Sequence, residues 1–305
     1  MNKKIDRHLP EQEERHKLFG SVKPGPSTKP SEKEKMADIQ NERKDFLFDI
    51  DSVGISQVKY PITVNSTLNP TTQTSIATFN LTANIDKNSK GTNMSRFLEQ
   101  LNIYEDIGLR ADFKSLFDFS RDLQDRLKQE VVYTDVSLPW FYKRRGPDSN
   151  SPGMNHSDVT LSIAYENDHK YTIQAGMEVL ITTLCPCSKE ISEYSAHSQR
   201  GRVKMDVTFN EEFNETINDW KKDLLEAAES SGSAKIHPVL KRTDEKVVTE
   251  TAYENPRFVE DVVRLVAANL YELPYIKTFS VTCENEESIH LHNAIATINY
   301  DKSEN

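Results

Sequence analysis

The segment Thr78–Ile85, with the sequence TFNLTANI, alternates without a break between polar and apolar side chains. Successive side chains of a β-strand point to opposite faces, so this period of two predicts a strand with one buried face. A second strand-like run, Val58–Val64, precedes it, and the turn-forming pair Asn69-Pro70 lies between the two. The two runs therefore predict an antiparallel hairpin.

Two helices and two more strands are predicted after this hairpin. Apolar residues at helical spacing predict one helix with Met94, Phe97, Leu98 and Leu101 on a single face, and a second with Phe113, Leu116, Phe117, Leu123 and Leu127. The strand-like runs Val131–Tyr142 and Val159–Tyr165 come next, separated by a polar loop that contains glycine and proline. The first half of the chain is thus predicted to run strand, strand, helix, helix, strand, strand.

The second half repeats this order of elements but not the residues. A strand is predicted over Tyr171–Leu184, with a partner in which Val203, Met205, Val207 and Phe209 alternate with polar residues. One helical stripe contains Ile217, Trp220, Leu224 and Ala228. A further helix is predicted to start with Asn255 as its cap and Pro256 in its first turn. Strands near Thr278–Cys283 and Ile289–Ile298 complete the pattern.

Antiparallel hairpins with helices on one face predict an α+β fold. The repeat predicts two tandem ββααββ modules, at residues 39–168 and 169–305, with most of the candidate site residues in the second. Residues 1–38 are rich in Lys, Glu, Pro and Ser and have few aliphatic side chains. Such a segment cannot bury enough apolar area to offset its ordering entropy, so we expect a disordered polar tail.

Composition narrows the class of protein. The chain has 305 residues and a formal net charge of −10, which argues against non-specific binding to nucleic acid. It contains no apolar run of the length that a membrane helix needs. Its first residues are followed by polar residues rather than by an apolar run, so we expect no secretory signal. Its three cysteines, Cys185, Cys187 and Cys283, are too few for a disulfide framework and favour a reducing, cytoplasmic location.

The densest chemical signal is the run Cys185–Glu190, with the sequence CPCSKE, followed by His197. Thiolate and imidazole are good ligands for zinc and related divalent metals. Lys189 and Arg200 add positive charge nearby, which suits a phosphate. A redox pair, or a cysteine that is simply small and buried, is the alternative interpretation.

Two weaker signals accompany this run. His290 and His292 are predicted at the start of the last strand, where residues i and i+2 share a face and could act as ligands or proton donors. They could equally be ordinary polar residues at a strand end. Glu245 and Glu260 are the acidic candidates. Glu260 is predicted to lie beside the apolar stripe of its helix, where a carboxylate could accept two hydrogen bonds from a guanine N–H edge. A solvated helix carboxylate is the commoner case.

Together these segments resemble the GTP cyclohydrolase type IB family. The resemblance rests on CPCSKEIS at 185–192, the Ala-His-x-Gln-Arg run at 196–200, NPRFVED at 255–261, the late His-x-His, and KGTNMSRF at 90–97. It covers residues 38 to 300 and leaves out the tail. The chain departs from the family pattern at Ser195 and Ser198, where the family usually has Gly and Asn, and at Asn93, where it tends to have His.

The resemblance implies a tunnelling fold (T-fold) of two tandem modules, assembled as a homotetramer with active sites between subunits. It implies a divalent metal, zinc or manganese and possibly iron, held by Cys185, His197 and Glu245, and no organic cofactor. Glu260 would anchor the guanine ring and His290 would move protons, with His292 beside it. Cys187 would lie near the metal-binding thiolate, while Lys189 and Arg200 are candidates for phosphate contacts.

The implied activity is GTP cyclohydrolase I, a hydrolase that converts GTP and water to 7,8-dihydroneopterin triphosphate and formate in the first step of tetrahydrofolate biosynthesis. GTP is then the small-molecule partner. Three alternatives stay open at this point. The first is a nitrile reductase of the queuosine pathway with the same fold, and the second is a purine-binding oligomer without catalysis. The third is a thiol redox protein that uses Cys185 and Cys187, although cysteines at i and i+2 would close a strained ring.

Overall fold

The eight strands of the described residues form one antiparallel sheet, in which each strand pairs with the next one along the chain. The computed structural model describes residues 9–23, 25, 30, 32, 36, 38–40, 42–167 and 170–304. The strands are β1 (Ile50–Asn65), β2 (Thr72–Ile85), β3 (Val131–Arg145), β4 (Pro152–Glu166), β5 (Tyr171–Leu184), β6 (Ser198–Phe209), β7 (Ile276–Glu286) and β8 (Ala294–Asp301). β1 and β8 therefore form the two edges of the sheet.

The described helices lie before, between and after these strands. They are α1 (Gln12–Leu18), α2 (Ser95–Ile107), α3 (Phe113–Leu127), α4 (Pro186–Ile191), α5 (Trp220–Glu229), α6 (Arg242–Glu254) and α7 (Val259–Glu272), with a final 3₁₀ turn at Lys302–Glu304. Helices α2 and α3 pack on the first half of the sheet, and α5 and α7 on the second half. No described helix is long and apolar enough to cross a membrane.

The alternation in β2 is the clearest link from sequence to packing. Phe79, Leu81 and Ala83 are completely buried, as are Leu116 and Leu123 of α3, and all five belong to one continuous core. Burying a large apolar side chain stabilises a fold by about 1.5–3 kcal/mol. The predicted α+β fold, with its repeated order of elements, is therefore confirmed.

The two predicted modules share a single sheet, because β4 pairs with β5 from Asp158↔Glu178 to Tyr165↔Tyr171. The predicted boundary between residues 168 and 169 falls outside the described residues. The second half adds two helices to the predicted order, the short α4 after β5 and the longer α6 before α7.

The predicted start of the helix at Asn255 and Pro256 is wrong. Asn255 is the C-cap of α6, and α7 begins at Val259 after the N-cap Phe258. A residue before proline disfavours the α-helical region, which explains why α6 ends at Asn255. Helix α6 itself was not predicted, because it has no apolar stripe and its only buried residues are Asp244 and Ala252.

Two further boundaries differ from the sequence prediction. Ile217 precedes α5 and is exposed, so it does not belong to the helical stripe. His290 and His292 are not in a strand: β7 and β8 pair only up to Asn285↔Ala294, which leaves the histidines in the connecting loop. The rule that i and i+2 share a strand face therefore does not apply to them.

The predicted disordered tail contains a short helix. Helix α1 has no buried residue, and its Lys17 forms exposed ion pairs with Glu13 and Glu14, each 3.0 Å long. Exposed pairs at this spacing contribute only a few tenths of a kcal/mol. Residues 1–8 and several between 24 and 37 lie outside the described part of the chain.

Candidate functional site

Cys185 stands where β5 ends and α4 begins. It is the N-cap of α4, with Pro186 as the first helical residue, and its Sγ accepts a hydrogen bond from the backbone N–H of Ser188 at 3.5 Å. Proline suits a first helical turn because its missing N–H would be unpaired there in any case. Cys187, inside α4, is exposed.

His197 is held beside Cys185 by backbone contacts. The N–H of Cys185 donates to the carbonyl oxygen of His197 at 3.1 Å. The N–H of His197 in turn donates to Ser188 Oγ at 3.3 Å. Two residues that are twelve positions apart by number (197 − 185) thus become neighbours at one end of the sheet.

The His197 ring is surrounded by oxygen atoms on its Nδ1 side. Gln199 Oε1 lies 3.1 Å from Nδ1, Ser288 Oγ 3.4 Å, and Glu287 Oε2 4.0 Å. Such a set of acceptors favours the tautomer with the proton on Nδ1, which leaves the Nε2 lone pair available to a metal. This orientation of a ligand histidine by neighbouring oxygens is typical of metal sites.

Glu287 was missed by the sequence analysis. Its side chain is only 13% exposed, and its Oε2 is buried without a hydrogen-bond partner in the described part of the chain. An unpaired buried acceptor costs stability, so it calls for an explanation such as a bound ion. The one available signal was its place in the segment 287–292, with the sequence ESIHLH, which also contains the two histidines.

His290 and His292 contact each other in spite of the wrong strand prediction. Their rings are stacked, with centroids 4.9 Å apart and planes 14° apart. Both are exposed, on the same β7–β8 loop that carries Glu287 and Ser288. The loop conformation, rather than strand geometry, therefore pairs the two imidazoles, on the loop whose Ser288 contacts His197.

Glu245 is exposed in the first turn of α6, next to the fully buried Asp244. Burial alone would raise the pKa of the Asp244 carboxyl. Hydrogen bonds from the Ser149 side chain and from the backbone N–H groups of Lys241, Ser149 and Asp148 outweigh it and hold that pKa well below its ordinary value. Asp244 therefore anchors the helix that carries Glu245.

The predicted metal ligands Cys185, His197 and Glu245 do not come together into one site within a single subunit. Within residues 9–304, as far as they are described, no group of three or more His, Cys, Asp or Glu side chains is arranged to hold a metal ion. The donor chemistry nevertheless fits a divalent cation on the Cys185 side. A partly buried thiol, an imidazole with a free Nε2 and an unpaired carboxylate oxygen lie at this end of the sheet.

The predicted substrate-binding residues lie on elements tied to Cys185. Glu260 is exposed in the first turn of α7, and just before that turn the N–H of Arg257 donates to the Leu184 carbonyl at 3.0 Å. Lys189 is already engaged: its Nζ donates to the Tyr253 carbonyl at 2.6 Å and lies 4.2 Å from the centre of the Tyr253 ring. Arg200 is exposed on β6 and forms no ion pair with any described residue.

A cavity of about 550 Å³ lies beside Tyr253, the residue that Lys189 contacts. It lies between α6 and the loop before β6, and its walls include Leu184, Ala196 and Tyr253. Ser195, also in the wall, has φ +97°, in the left-handed region that L-residues rarely adopt. Glycine would adopt that conformation at little cost.

Comparison with known proteins identifies the family. Residues 36–296 match the family model described as type I GTP cyclohydrolase folE2. GTP cyclohydrolase FolE2 of Oceanobacillus iheyensis is 58% identical over 97% of this chain and 98% of its own length. The FolE2 proteins of Bacillus licheniformis and Bacillus subtilis are 50% and 48% identical over similar spans.

The chain belongs to the type I GTP cyclohydrolase family. This membership confirms the family resemblance, under the name folE2 rather than type IB, together with the predicted GTP cyclohydrolase I function and the enzyme class. The roles of individual residues in this type I GTP cyclohydrolase stay predictions, as does the metal.

Comparison with solved structures finds a similar fold in a protein of very low sequence identity. Uricase from Arthrobacter globiformis superposes with a TM-score of 0.52 over 83% of this chain and 94% of its own, at 11% identity. Identity this low supports the fold only, and it confirms that this type I GTP cyclohydrolase has a tunnelling fold.

Proposed function

We propose that this chain converts GTP and water to 7,8-dihydroneopterin triphosphate and formate at a divalent metal held by Cys185, His197 and Glu245. The observation that carries the proposal is the Cys185–His197 contact, which leaves a thiol and an imidazole Nε2 available together. Thiolate and imidazole suit zinc or iron, and a carboxylate suits manganese. When bound, such a cation supplies the Lewis acidity that makes water nucleophilic near neutral pH.

The protein side chains orient the purine and move its protons. Glu260 accepts hydrogen bonds from the N–H edge of guanine and holds C8 toward Cys185 and His197. His290 donates the proton that the ring nitrogen needs as the imidazole ring of guanine opens, and His292 supports its ring by stacking. Cys187, exposed beside Cys185, lines the same site.

Arg200 is the better candidate of the two proposed phosphate contacts. Its guanidinium is exposed and forms no ion pair with the described residues, so its donors are available to a triphosphate. Lys189 has already given one N–H to the Tyr253 carbonyl, so its part in phosphate binding is the smaller one.

A homotetramer with active sites between subunits is part of the proposal. The open sheet edges β1 and β8 support it, as do the exposed apolar residues Ile289, Leu291 and Ile295 beside the histidine loop. A neighbouring subunit could then complete the ligand set that one chain does not group. Light scattering after gel filtration tests this: a mass of one subunit would contradict it. The cytoplasmic location stays a prediction from cysteine usage.

The test of the function is turnover by metal-stripped protein. We expect no formate from GTP in the absence of metal, and recovery when zinc, manganese or iron(II) is added back separately. The product, after oxidation, should fluoresce as a pterin. GTP binding without formate release under every metal would contradict the proposal and favour a purine-binding oligomer. Activity with GTP alone, without NADPH, separates the chain from a nitrile reductase.

A further inference from the structure

Asp244 is an unusual residue on α6. Asp244 and Ala252 are the only buried residues of the helix, and Asp244 is 0% exposed. Its Oδ1 accepts the N–H groups of Asp148 and Ser149, both at 2.8 Å. Its Oδ2 accepts the Ser149 hydroxyl at 2.5 Å and the N–H of Lys241 at 2.8 Å. A buried carboxylate with this many donors is fixed in position.

These donors come from a distant part of the sequence. Asp148 and Ser149 belong to the tip of the β3–β4 hairpin, in the first half of the sheet, whereas α6 belongs to the second half. The fit is close, because a Cβ on Gly146 would lie 2.7 Å from Asp244 Oδ2. The hairpin tip and the carboxylate are therefore matched in shape as well as in hydrogen bonding.

The segment before α6 also contacts the β3–β4 hairpin. Asn155 Nδ2 donates to the Ile236 carbonyl at 2.9 Å, and His237 Nδ1 lies 3.0 Å from the Arg145 carbonyl oxygen. The other end of α6 is tied to the Cys185 region, where Lys189 Nζ donates to the Tyr253 carbonyl. Helix α6 thus spans from the first-half hairpin, beside which Glu245 lies, to the Cys185 region, and both its ends are fixed.

We infer that Asp244 is a positioning residue, which holds Glu245 in the orientation that metal binding requires by clamping the start of α6 to the β3–β4 hairpin. The inference rests on the proposed role of Glu245 as a ligand, and it applies whether Glu245 serves its own subunit or a neighbour. Groups that orient ligands around a metal typically change its affinity by about 10–100-fold when they are removed. No contact between Asp244 and the metal is required.

Asp219 offers a matched control. It is likewise a carboxylate at the start of a second-half helix, as the N-cap of α5 where Asp244 is the third residue of α6. It is 10% exposed, and it is bound by first-half donors, the N–H and Oγ1 of Thr67 and the hydroxyl of Ser66. Nothing proposed as a ligand lies next to it. Asp219→Asn therefore tests the effect of breaking a similar contact between the two halves without disturbing Glu245.

The experiment measures metal affinity and thermal unfolding for four purified variants, using zinc competition with a chelator and manganese binding by electron paramagnetic resonance. We expect Asp244→Asn to weaken metal binding by about tenfold or more. Ser149→Ala, a milder change that keeps the carboxylate, should weaken it in the same direction. Asp219→Asn should lower the unfolding temperature but change metal affinity by less than about twofold.

Glu245→Gln separates failure of the inference from failure of the proposed function. If Glu245→Gln weakens metal binding but Asp244→Asn and Ser149→Ala do not, the positioning role of Asp244 is overturned and the ligand set survives. If Asp219→Asn weakens metal binding as much as Asp244→Asn, the effect is general destabilisation, and the inference is again overturned. If Glu245→Gln has no effect on metal affinity, the proposed ligand set fails and the inference fails with it.

Discussion

Two clusters of polar side chains in this molecule differ in how completely their acceptors are hydrogen-bonded. The junction cluster, around Asp219 and Glu215, joins the two halves of the helix layer. Asp219 accepts from Thr67 and Ser66, and Glu215 accepts from the N–H of Phe113 at 2.7 Å and from the indole of Trp220 at 3.2 Å. Every carboxylate in this cluster is bound by protein donors.

The Cys185 cluster, formed by Cys185, His197 and Glu287, is incomplete by comparison. Glu287 Oε2 is buried without a hydrogen-bond partner in the described chain, and Cys185 Sγ accepts one hydrogen bond, at 3.5 Å. Buried polar groups that are fully paired hold a fold together, whereas unpaired ones cost stability and persist where a ligand completes them. The contrast predicts stability effects at the junction and metal effects at Cys185.

Cys185→Ala should have the largest effect. Losing the thiolate removes a proposed metal ligand, so we expect metal content to fall to background and GTP turnover to fall by about a thousandfold or more, with little change in unfolding temperature. Elemental analysis of dialysed protein and formate release measure both.

Cys283→Ala is the control for that variant, because Cys283 is completely buried in β7 and burial raises the pKa of its thiol to about 12. It should keep metal and turnover and lose stability, by about 1–2 kcal/mol. Full metal content in Cys185→Ala would contradict the comparison, because metal binding would then not depend on the Cys185 thiol.

Glu260→Gln should raise the KM for GTP and leave metal content unchanged. A carboxylate that accepts two N–H groups of guanine contributes about 1.5–3 kcal/mol, which corresponds to about 10–100-fold in affinity. Glu272→Gln, at the far end of the same helix, is the control and should leave KM unchanged. An unchanged KM in Glu260→Gln would remove Glu260 from the site.

Asp219→Ala tests the junction cluster. The change leaves the Thr67 N–H and the Ser66 hydroxyl without their acceptor, so we expect the free energy of unfolding to fall by about 1–3 kcal/mol. Metal content and turnover below the unfolding temperature should be preserved. Urea unfolding followed by circular dichroism gives the first quantity; a metal loss in the still-folded variant would contradict the division between the two clusters.

Acid should weaken the same junction. Burial alone would raise the pKa of Asp219, but hydrogen bonds from Thr67 and Ser66 and the nearby Lys221 ammonium outweigh it and lower that pKa. A carboxyl with a lowered folded-state pKa contributes stability that is fully present above its unfolded pKa, about 3.9, and is lost as pH falls through the folded value. Stability measured from pH 6 down to about 3 should therefore fall more steeply in the unsubstituted chain than in Asp219→Asn. Parallel curves would contradict this.

The sequence was informative where local periodicity decides structure. Alternation in Thr78–Ile85 and in Val203–Phe209 predicts β2 and β6 correctly, because one face of each strand packs in the core. It was uninformative for α6, which is held by hydrogen bonds from a hairpin about 95 residues away rather than by an apolar stripe. Glu287 was missed for a similar reason: folding brings it against His197, which is 90 residues away along the chain (287 − 197).

Ser195→Gly should have the smallest effect, and it tests where the Cys185 cluster stores strain. Ser195 has φ +97°, whereas Ser192, in the same loop, has φ −99°. Glycine at 195 relieves a left-handed strain of about 1–2 kcal/mol but gains freedom in the unfolded chain, so we expect a net stabilisation of about 0.5–1 kcal/mol. Ser192→Gly, without strain to relieve, should destabilise by a similar amount.

Metal affinity in Ser195→Gly decides what that strain does. Strained residues persist when the surrounding structure holds them, and they are common at functional sites. If the strain only reflects the tight path of the loop from α4 to His197, the variant will be more stable with unchanged metal affinity. If affinity falls while stability rises, the serine conformation itself helps to place His197, and the incomplete cluster is then maintained at the expense of stability.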